Sequence, residues 1–236
     1  MKKIFFCGLA LLLFGAATAK AQDTVETTIG TDIVSSYVWR GLELGDVSMQ
    51  PTMGVSYKGL SLSAWGSVGL SNSADTKELD LTLAYTIGGF NVGVTDYWFN
   101  AGLDPQNRYF KYSADETNHV FEANIGYDFG FASVQWYTNF LGNDLAADSD
   151  KLAYSNYFEI NVPYTLGGVD WKATAGAVPF ATDFYGTEGF AVTNLALTAS
   201  KEFQVTDTFS IPAFAQVAAN PSARTAFLVF GISLQL

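Results

Sequence analysis

Residues 49–57 read Met-Gln-Pro-Thr-Met-Gly-Val-Ser-Tyr, and this stretch decides the fold. Met49, Met53 and Val55 fall on one face, while Gln50 and Ser56 fall on the other. A period of two residues is the period of a β-strand. The same alternation runs from residue 24 to residue 236, with large aromatic residues at the ends of nearly every apolar face. This pattern is typical of a transmembrane β-barrel.

The connections between the strands support this prediction. About twelve strand-length runs are separated alternately by tight turns and longer polar loops, as in an outer-membrane barrel. The tight turns lie near Lys58-Gly59, Gly88-Gly89, Gly130-Phe131, Leu166-Gly167 and residues 205–207. The longer loops are predicted near residues 41–48, 70–77, 100–117, 142–151, 181–188 and 219–225. An even number of strands places both termini on the periplasmic side.

Pairing the strands about three of the tight turns gives the same two faces each time. The predicted pairs are Tyr57 with Leu60, Tyr127 with Val134, and, beside Leu166-Gly167, Asn161 with Lys172. In each hairpin the apolar residues share the outward face, so the register is consistent.

Outward aromatic residues are expected at two heights, where they would form the belts found at membrane interfaces. The belt beside the tight turns would contain Tyr57, Tyr85, Phe90, Tyr127, Phe129, Tyr164 and Phe209. The belt beside the long loops would contain Tyr37, Trp39, Trp98, Phe140 and Tyr154.

The N-terminus has the features of a secretory signal peptide. Lys2 and Lys3 precede an apolar segment, and Ala19-Lys20-Ala21 resembles a cleavage site. Residues 1–21 are therefore predicted to be the signal and residues 22–236 the barrel domain. The apolar segment is too short for a membrane-spanning helix. These features predict the outer membrane of a Gram-negative cell.

The mature chain is acidic and lacks cysteine. Cys7 lies within the signal, and removing residues 1–21 leaves 9 basic against 23 acidic residues, a formal charge of −14. This charge argues against nucleic acid as a partner. The absence of thiols rules out disulfides and cysteine nucleophiles in the mature chain.

Several segments resemble those of a known family. They are Ser35-Ser-Tyr-Val-Trp-Arg-Gly41, Gln50-Pro-Thr-Met-Gly-Val-Ser56, Leu62-Ser-Ala-Trp-Gly-Ser67, Lys77-Glu-Leu-Asp-Leu81, Val94-Thr-Asp-Tyr-Trp98 and Phe214-Ala-Gln-Val217. In these the chain resembles the TorF-type family of outer-membrane porins, from about residue 28 to the C-terminus. The resemblance implies a barrel and a pore, but no particular solute or site residues.

Catalysis and metal binding receive little support. His119 lies where a long loop enters a strand, and a histidine making local hydrogen bonds is favoured there over a catalytic one. Asp144, Asp148 and Asp150 could bind calcium, but an exposed acidic loop is favoured. We therefore expect no enzymatic activity, no catalytic residues, no cofactor and no metal.

Charged and aromatic residues fall on the inward, polar face. The charged ones are Glu26, Asp32, Arg40, Glu78, Asp80, Glu122, Glu159, Asp170 and Lys172, and the aromatic ones are Trp65, Tyr97, Tyr137 and Tyr157. They could line an open channel, or interlock and fill a narrow lumen. Twelve strands lie between filled eight-stranded barrels and aqueous sixteen-stranded porins. An open or gated pore is the favoured interpretation. Nine of these residues are the predicted pore lining: Arg40, Trp65, Asp80, Tyr97, Glu122, Tyr137, Tyr157, Glu159 and Lys172.

The sequence thus predicts a narrow passive channel for small hydrophilic solutes, with a weak preference for cations because inward acids outnumber inward bases. The alternative is a closed barrel whose extracellular loops, above all residues 100–117, bind a partner or have a structural role. Expected partners are membrane lipid, the barrel-insertion machinery and the solutes. The sequence does not predict an oligomeric state.

Overall fold

The computed structural model describes residues 24–72, 74–100, 104–113, 116–147, 149–207 and 209–235. The predicted signal peptide, residues 1–21, lies outside the described residues. No helix within the described ranges is long and apolar enough to cross a membrane.

The described residues form fourteen β-strands. They are β1 (Glu26–Val34), β2 (Tyr37–Trp39), β3 (Leu42–Gly45), β4 (Ser48–Tyr57), β5 (Leu60–Gly69), β6 (Lys77–Ile87), β7 (Phe90–Asn100), β8 (His119–Asp128), β9 (Ser133–Gly142), β10 (Asn156–Leu166), β11 (Val169–Val178), β12 (Ala191–Thr206), β13 (Phe209–Asn220) and β14 (Thr225–Gln235). Twelve of them close into an antiparallel barrel, whereas β2 and β3 form a separate two-stranded sheet. The prediction of a twelve-stranded barrel is confirmed.

The first strand closes the barrel. β1 pairs with β4 on one side and with the C-terminal strand β14 on the other. Gly30, for example, lies opposite Thr52 of β4 and Gln235 of β14. Both edges of the sheet are thereby paired, so the barrel wall has no free edge strand.

The two ends of the barrel differ in their connections. Short connections, such as Lys58-Gly59 and residues 88–89, lie at one end, which we call the turn end. The long connections at residues 35–47, 101–118, 143–155 and 179–190 lie at the other, which we call the loop end. The first barrel strand, β1, starts at the turn end, and the last, β14, finishes there.

Side chains alternate between the outer wall and the lumen. In β14, Leu228 is 59% exposed on the outer wall whereas Val229 is 1% exposed. All seven aromatic residues expected beside the tight turns are exposed. At the loop end, Phe140 and Tyr154 are also exposed.

Two residues of the loop-end belt were placed on the wrong face. Tyr37 and Trp39 are buried, because the chain leaves the barrel wall after Val34 and folds into the lumen as the β2–β3 hairpin. Part of the segment expected to be a loop, residues 41–48, is therefore strand β3. The alternation is the same in a barrel strand and in an inner hairpin, so periodicity alone does not distinguish them.

The predicted register is correct at two of the three turns. Tyr57 pairs with Leu60 and Tyr127 with Val134. In the third hairpin, however, Asn161 pairs with Thr174, and Lys172 lies opposite Pro163. The turn there is Gly167-Gly168, one residue later than predicted, and both glycines have positive φ angles of 66° and 72°. Moving a turn by one residue shifts the pairing by two, which preserves the faces but changes the partners.

Candidate functional site

The lumen is packed at the loop end, whereas many of the inward residues at the turn end are small. Inward side chains buried in the loop-end half include Ser48, Gln50, Ser67, Glu78, Tyr97, Glu122, Asn139, Tyr157, Thr193 and Asn220. Small inward residues nearer the turns remain partly exposed, among them Gly54, Ser56, Ser61, Ser63, Ser200 and Ser210. The candidate site is the packed half.

The inner hairpin forms the centre of this packing. Its turn is Arg40-Gly41, flanked by the paired residues Trp39 and Leu42. Arg40 has φ of 50° and Gly41 of 79°, as a two-residue turn of the primed type requires. Gly41 also lies against the backbone of Thr193, where a Cβ atom would overlap the carbonyl group. Only glycine fits at this point between the hairpin and the barrel wall.

The hairpin tip is held by a buried ion pair. Arg40 donates from Nη1 to Glu122 Oε2 at 2.5 Å and from Nη2 to Glu122 Oε1 at 2.9 Å. Both side chains are almost completely buried. A bidentate arginine–carboxylate pair fixes orientation as well as supplying energy. Arg40 therefore links the hairpin to β8 in a defined geometry.

Two tyrosines complete the hydrogen bonds of this pair. The hydroxyl of Tyr97 donates to Glu122 Oε1 at 2.9 Å, and Arg40 Nη1 donates to the hydroxyl of Tyr185 at 2.5 Å. Tyr185 belongs to the long connection 179–190, which also folds inward. Burial raises the pKa of the Tyr185 phenol, so Tyr185 stays neutral at physiological pH.

Aromatic rings surround the guanidinium group. Its carbon lies 4.4 Å from the ring centroid of Trp39, 4.0 Å from that of Tyr137 and 4.6 Å from that of Tyr157. Tyr185 in turn stacks on Trp39 at 6.0 Å and on Tyr157 at 5.8 Å. We call Glu122, Trp39, Tyr137, Tyr157 and Tyr185 the Arg40 cage.

A second polar network lies next to the cage. Glu159 accepts hydrogen bonds from the hydroxyl of Tyr157 at 2.7 Å and from Asn161 Nδ2 at 2.8 Å. Thr174 Oγ1 donates to Asn161 Oδ1 at 2.7 Å, which extends the network to β11. Glu159 thus receives its hydrogen bonds from the neutral donors Tyr157 and Asn161.

A third contact holds the base of the hairpin. The hydroxyl of Tyr37 donates to Glu78 Oε2 at 2.8 Å, and the Tyr37 ring lies 5.5 Å from that of Trp65. Trp65 pairs with Asp80 on the neighbouring strand, and Asp80 is also buried. The hairpin is therefore fixed to β5 and β6 at its base and to β8 at its tip.

All nine residues predicted to line the pore lie on the lumen side. Eight project from barrel strands, and Arg40 projects from the hairpin tip. They divide by exposure: Asp80, Tyr97, Glu122, Tyr157, Glu159 and Arg40 are buried, whereas Trp65, Tyr137 and Lys172 are partly exposed. Sequence reasoning missed Tyr185, and it placed Tyr37 and Trp39 on the outer wall. The Arg40-Gly41 pair between apolar residues was a hairpin signal that could have corrected the last two.

Side chains and the hairpin fill the loop-end half of the lumen in this structure. This is the interlocked arrangement, the less favoured of the two sequence interpretations. The difference comes from the two inward-folded connections, residues 35–47 and 179–190.

His119 has the local role that was favoured over catalysis. It is fully buried near the loop end, with Nδ1 2.6 Å from Asp96 Oδ1 and Nε2 2.6 Å from the carbonyl of Tyr109. The carbonyl oxygen of Tyr109 can only accept, so Nε2 donates to it. His119 thus fastens the long connection 101–118 to the barrel wall.

The acidic connection after β9 differs from the prediction at one residue. Asp144 is buried and accepts hydrogen bonds from the backbone and side chain of Ser155, at 2.8 and 2.6 Å. It therefore orders the connection instead of being exposed. Asp150 is exposed as expected, and Asp148 lies outside the described residues.

The strand pairing and the lumen define the class of this molecule. It is a closed twelve-stranded antiparallel β-barrel with an apolar outer wall and a hairpin folded into its lumen. The chain belongs to a family described as a bacterial protein of unknown function (Gcw_chp), whose model matches residues 16–225. No curated protein matches it.

Solved structures with a similar arrangement have little sequence in common with this chain. One, from work on the in-meso crystallization of membrane proteins, has a TM-score of 0.43 and 8% identity and covers 89% of this chain and 83% of its own. Another, OmpF of Salmonella typhi in complex with daunomycin, has a TM-score of 0.40 and 9% identity and covers 90% and 97%. Both TM-scores are below 0.5, so the fold assignment rests on the strand pairing of the chain itself.

Proposed function

We propose that this protein is an outer-membrane channel of the porin type for small hydrophilic solutes, gated by its inner hairpin. The observation that carries the proposal is the contrast between an outer wall of exposed apolar side chains and a polar lumen. A soluble protein rarely exposes so large an apolar surface, whereas a barrel in lipid requires one. The barrel strands, of 9 to 16 residues, are also long enough to span a membrane.

The gate is proposed from the topology. The β2–β3 sheet is not hydrogen-bonded as part of the barrel sheet, and both of its ends connect to the barrel at the loop end. The hairpin can therefore move toward the loop end without breaking the strand pairing of the wall. In this proposal both termini are periplasmic and the passage through the lumen is passive. A weak preference for cations follows from the excess of inward acids.

Conductance tests the gate. Glu122→Gln removes the charge that holds Arg40, so we expect it to conduct more often than the native protein in planar bilayers. Glu202→Gln, at a partly exposed inward position near the turn end, is the control and should open as often as the native protein. An absence of current from both the native protein and Glu122→Gln would contradict the channel. It would favour the closed barrel with a structural or binding role.

Insertion into lipid is tested by two leucines with nearly equal exposure. Leu60 is 51% exposed beside a turn, and Leu83 is 53% exposed near the middle of its strand. Arginine at position 83 should cost about 2–4 kcal/mol of folding free energy in lipid vesicles, and arginine at position 60 about 0–1 kcal/mol. Urea titration of both variants measures this difference. Equal costs would contradict a membrane-embedded wall.

A further inference from the structure

We propose that the Arg40 cage is a guanidinium-binding site of the channel, and that Arg40 occupies it in place of a solute that carries the same group. This inference rests on the proposed function, because the solute must enter the lumen. Displacement of Arg40 by the solute would release the hairpin, so the permeating solute would open its own gate.

The hydrogen-bonding groups match a guanidinium in particular. Glu122 receives two parallel N–H bonds, at 2.5 and 2.9 Å, from the two terminal nitrogens of Arg40. Bidentate contact of this kind needs the planar fork of a guanidinium, which an ammonium group does not have. The Tyr185 hydroxyl accepts a further bond from the same group, at 2.5 Å.

The aromatic walls favour a flat, weakly hydrated cation. Three ring centroids lie within 4.6 Å of the guanidinium carbon. Such contacts are worth more when the cation is removed from water, and an arginine head group is easier to dehydrate than a lysine one. Because Glu122 is the only carboxylate that Arg40 contacts among the described residues, the cage suits a single positive charge.

Arg40 itself is an imperfect occupant. Its Nε is buried and has no hydrogen-bond partner among the described residues. Its backbone also has a positive φ of 50°, which is unfavourable for a residue with a side chain. A free guanidinium solute is not subject to the backbone constraint. These two features weaken the binding of Arg40 in the cage, so a competing solute can displace it more easily.

Access to the cage is expected from the turn end. Tyr137, whose ring lies 4.0 Å from the guanidinium carbon, is partly exposed, as is Lys172 two strands away. A cavity of about 30 Å³ also adjoins the hairpin beside Gln50, Asn194 and Gln216. This volume suits about one or two water molecules, so the hairpin is not tightly packed on that side.

The test is to empty the cage and refill it. Arg40→Gly removes the side chain and tolerates the positive φ angle, and Trp39 in the cage wall reports binding by its fluorescence. We expect millimolar propylguanidinium to cause a saturable change in the purified variant, with an affinity at least about tenfold higher than that of propylammonium. Arg40→Gly combined with Glu122→Gln is the matched control and should lose this preference. Trp39→Phe in the Arg40→Gly background should lose the signal.

Equal affinities for propylguanidinium and propylammonium, or no saturable change in fluorescence, would contradict the proposed guanidinium site. Folding of each variant is checked by the heat-dependent shift in its gel mobility. If Arg40→Gly does not fold, Arg40→Asn replaces it, because asparagine also tolerates this backbone conformation. In the native protein, propylguanidinium should increase the frequency of channel opening more than propylammonium does, and equal effects would also overturn the proposal.

The binding and conductance experiments separate the two proposals. Binding to Arg40→Gly without any current in bilayers would support the cage and contradict the channel. Current through Arg40→Gly without guanidinium binding would support the channel and contradict the cage.

Discussion

The two halves of the lumen are built on the same strands but filled differently. On β10, Tyr157 and Glu159 in the loop-end half are 0% exposed, whereas Pro163 and Thr165 toward the turn end are exposed. On β4, Gln50 is buried and Gly54 is partly exposed. The wall is continuous through both halves, so wall geometry does not explain the contrast.

The contrast shows that inserted segments close this lumen. Side chains alone fill a barrel of about eight strands, but a twelve-stranded barrel is wider. Here the β2–β3 hairpin and Tyr185 supply the additional volume, and both enter from the loop end. Long buried side chains face them, whereas the turn-end half has no inserted segment among the described residues and carries smaller ones.

Removing a carboxylate charge should give the largest difference in stability between the two halves of the lumen. Glu122→Gln leaves Arg40 buried without its counter-ion, and breaking a buried pair in this way costs about 3–5 kcal/mol. Glu202→Gln at the turn end should cost less than about 1 kcal/mol, because Glu202 is partly exposed. Urea unfolding in lipid vesicles measures both values. Similar costs would show that the ion pair does not stabilise the packed half.

Replacing an inward glycine by alanine should give a smaller difference in stability between the two halves. A Cβ atom at Gly176 would overlap the hydroxyl of the fully buried Tyr157, so Gly176→Ala should destabilise the protein by about 1–3 kcal/mol. At Gly54 the Cβ would lie 3.3 Å from Ser63 Cβ, in the looser half. Gly54→Ala should therefore be close to neutral, since alanine also restricts the unfolded chain. The same unfolding assay compares them, and an equally damaging Gly54→Ala would remove the proposed difference in packing.

The smallest effect concerns ion selectivity. Asp170 is exposed and Glu202 partly exposed on the lumen side of the turn-end half, whereas Asp80 is buried. Asp170→Asn with Glu202→Gln should therefore lower the cation preference more than Asp80→Asn does. The reversal potential across a salt gradient should move by several millivolts at about 0.1 M salt and less at about 1 M, where the Debye length is near 3 Å. A larger shift in reversal potential from Asp80→Asn would show that the buried Asp80, and not Asp170 with Glu202, sets the cation preference.

The barrel could be predicted because its information is local and periodic. The alternation of residues 49–57, the positions of the tight turns and the parity of each hairpin all follow from side-chain direction in a strand. The Gly167-Gly168 turn was misplaced by one residue because either Leu166-Gly167 or Gly167-Gly168 could occupy the two central positions, and sequence does not decide between them.

The site was predicted only in part because its contacts are not local. The inward parity of Tyr97, Glu122, Tyr137 and Tyr157 was readable from the strands. The placement of Arg40 on an inner hairpin was not, because residues 37–39 alternate like a barrel strand and that alternation does not show that the chain has left the wall. Tyr185 lies in an irregular connection, where no period exists to assign a face.

The position of the hairpin in the chain has a consequence for the order of assembly. Arg40 is separated from Glu122 by 82 residues and from Tyr185 by 145 residues. Contacts between residues so distant in sequence form slowly, and here their partners lie on strands that are synthesised later. The hairpin is among the first segments to be made, and its base contacts β5 and β6, yet its tip can be fixed only after β8, β9 and β10 are in place. We therefore expect the hairpin tip to be among the last parts of the lumen to be fixed when the barrel folds.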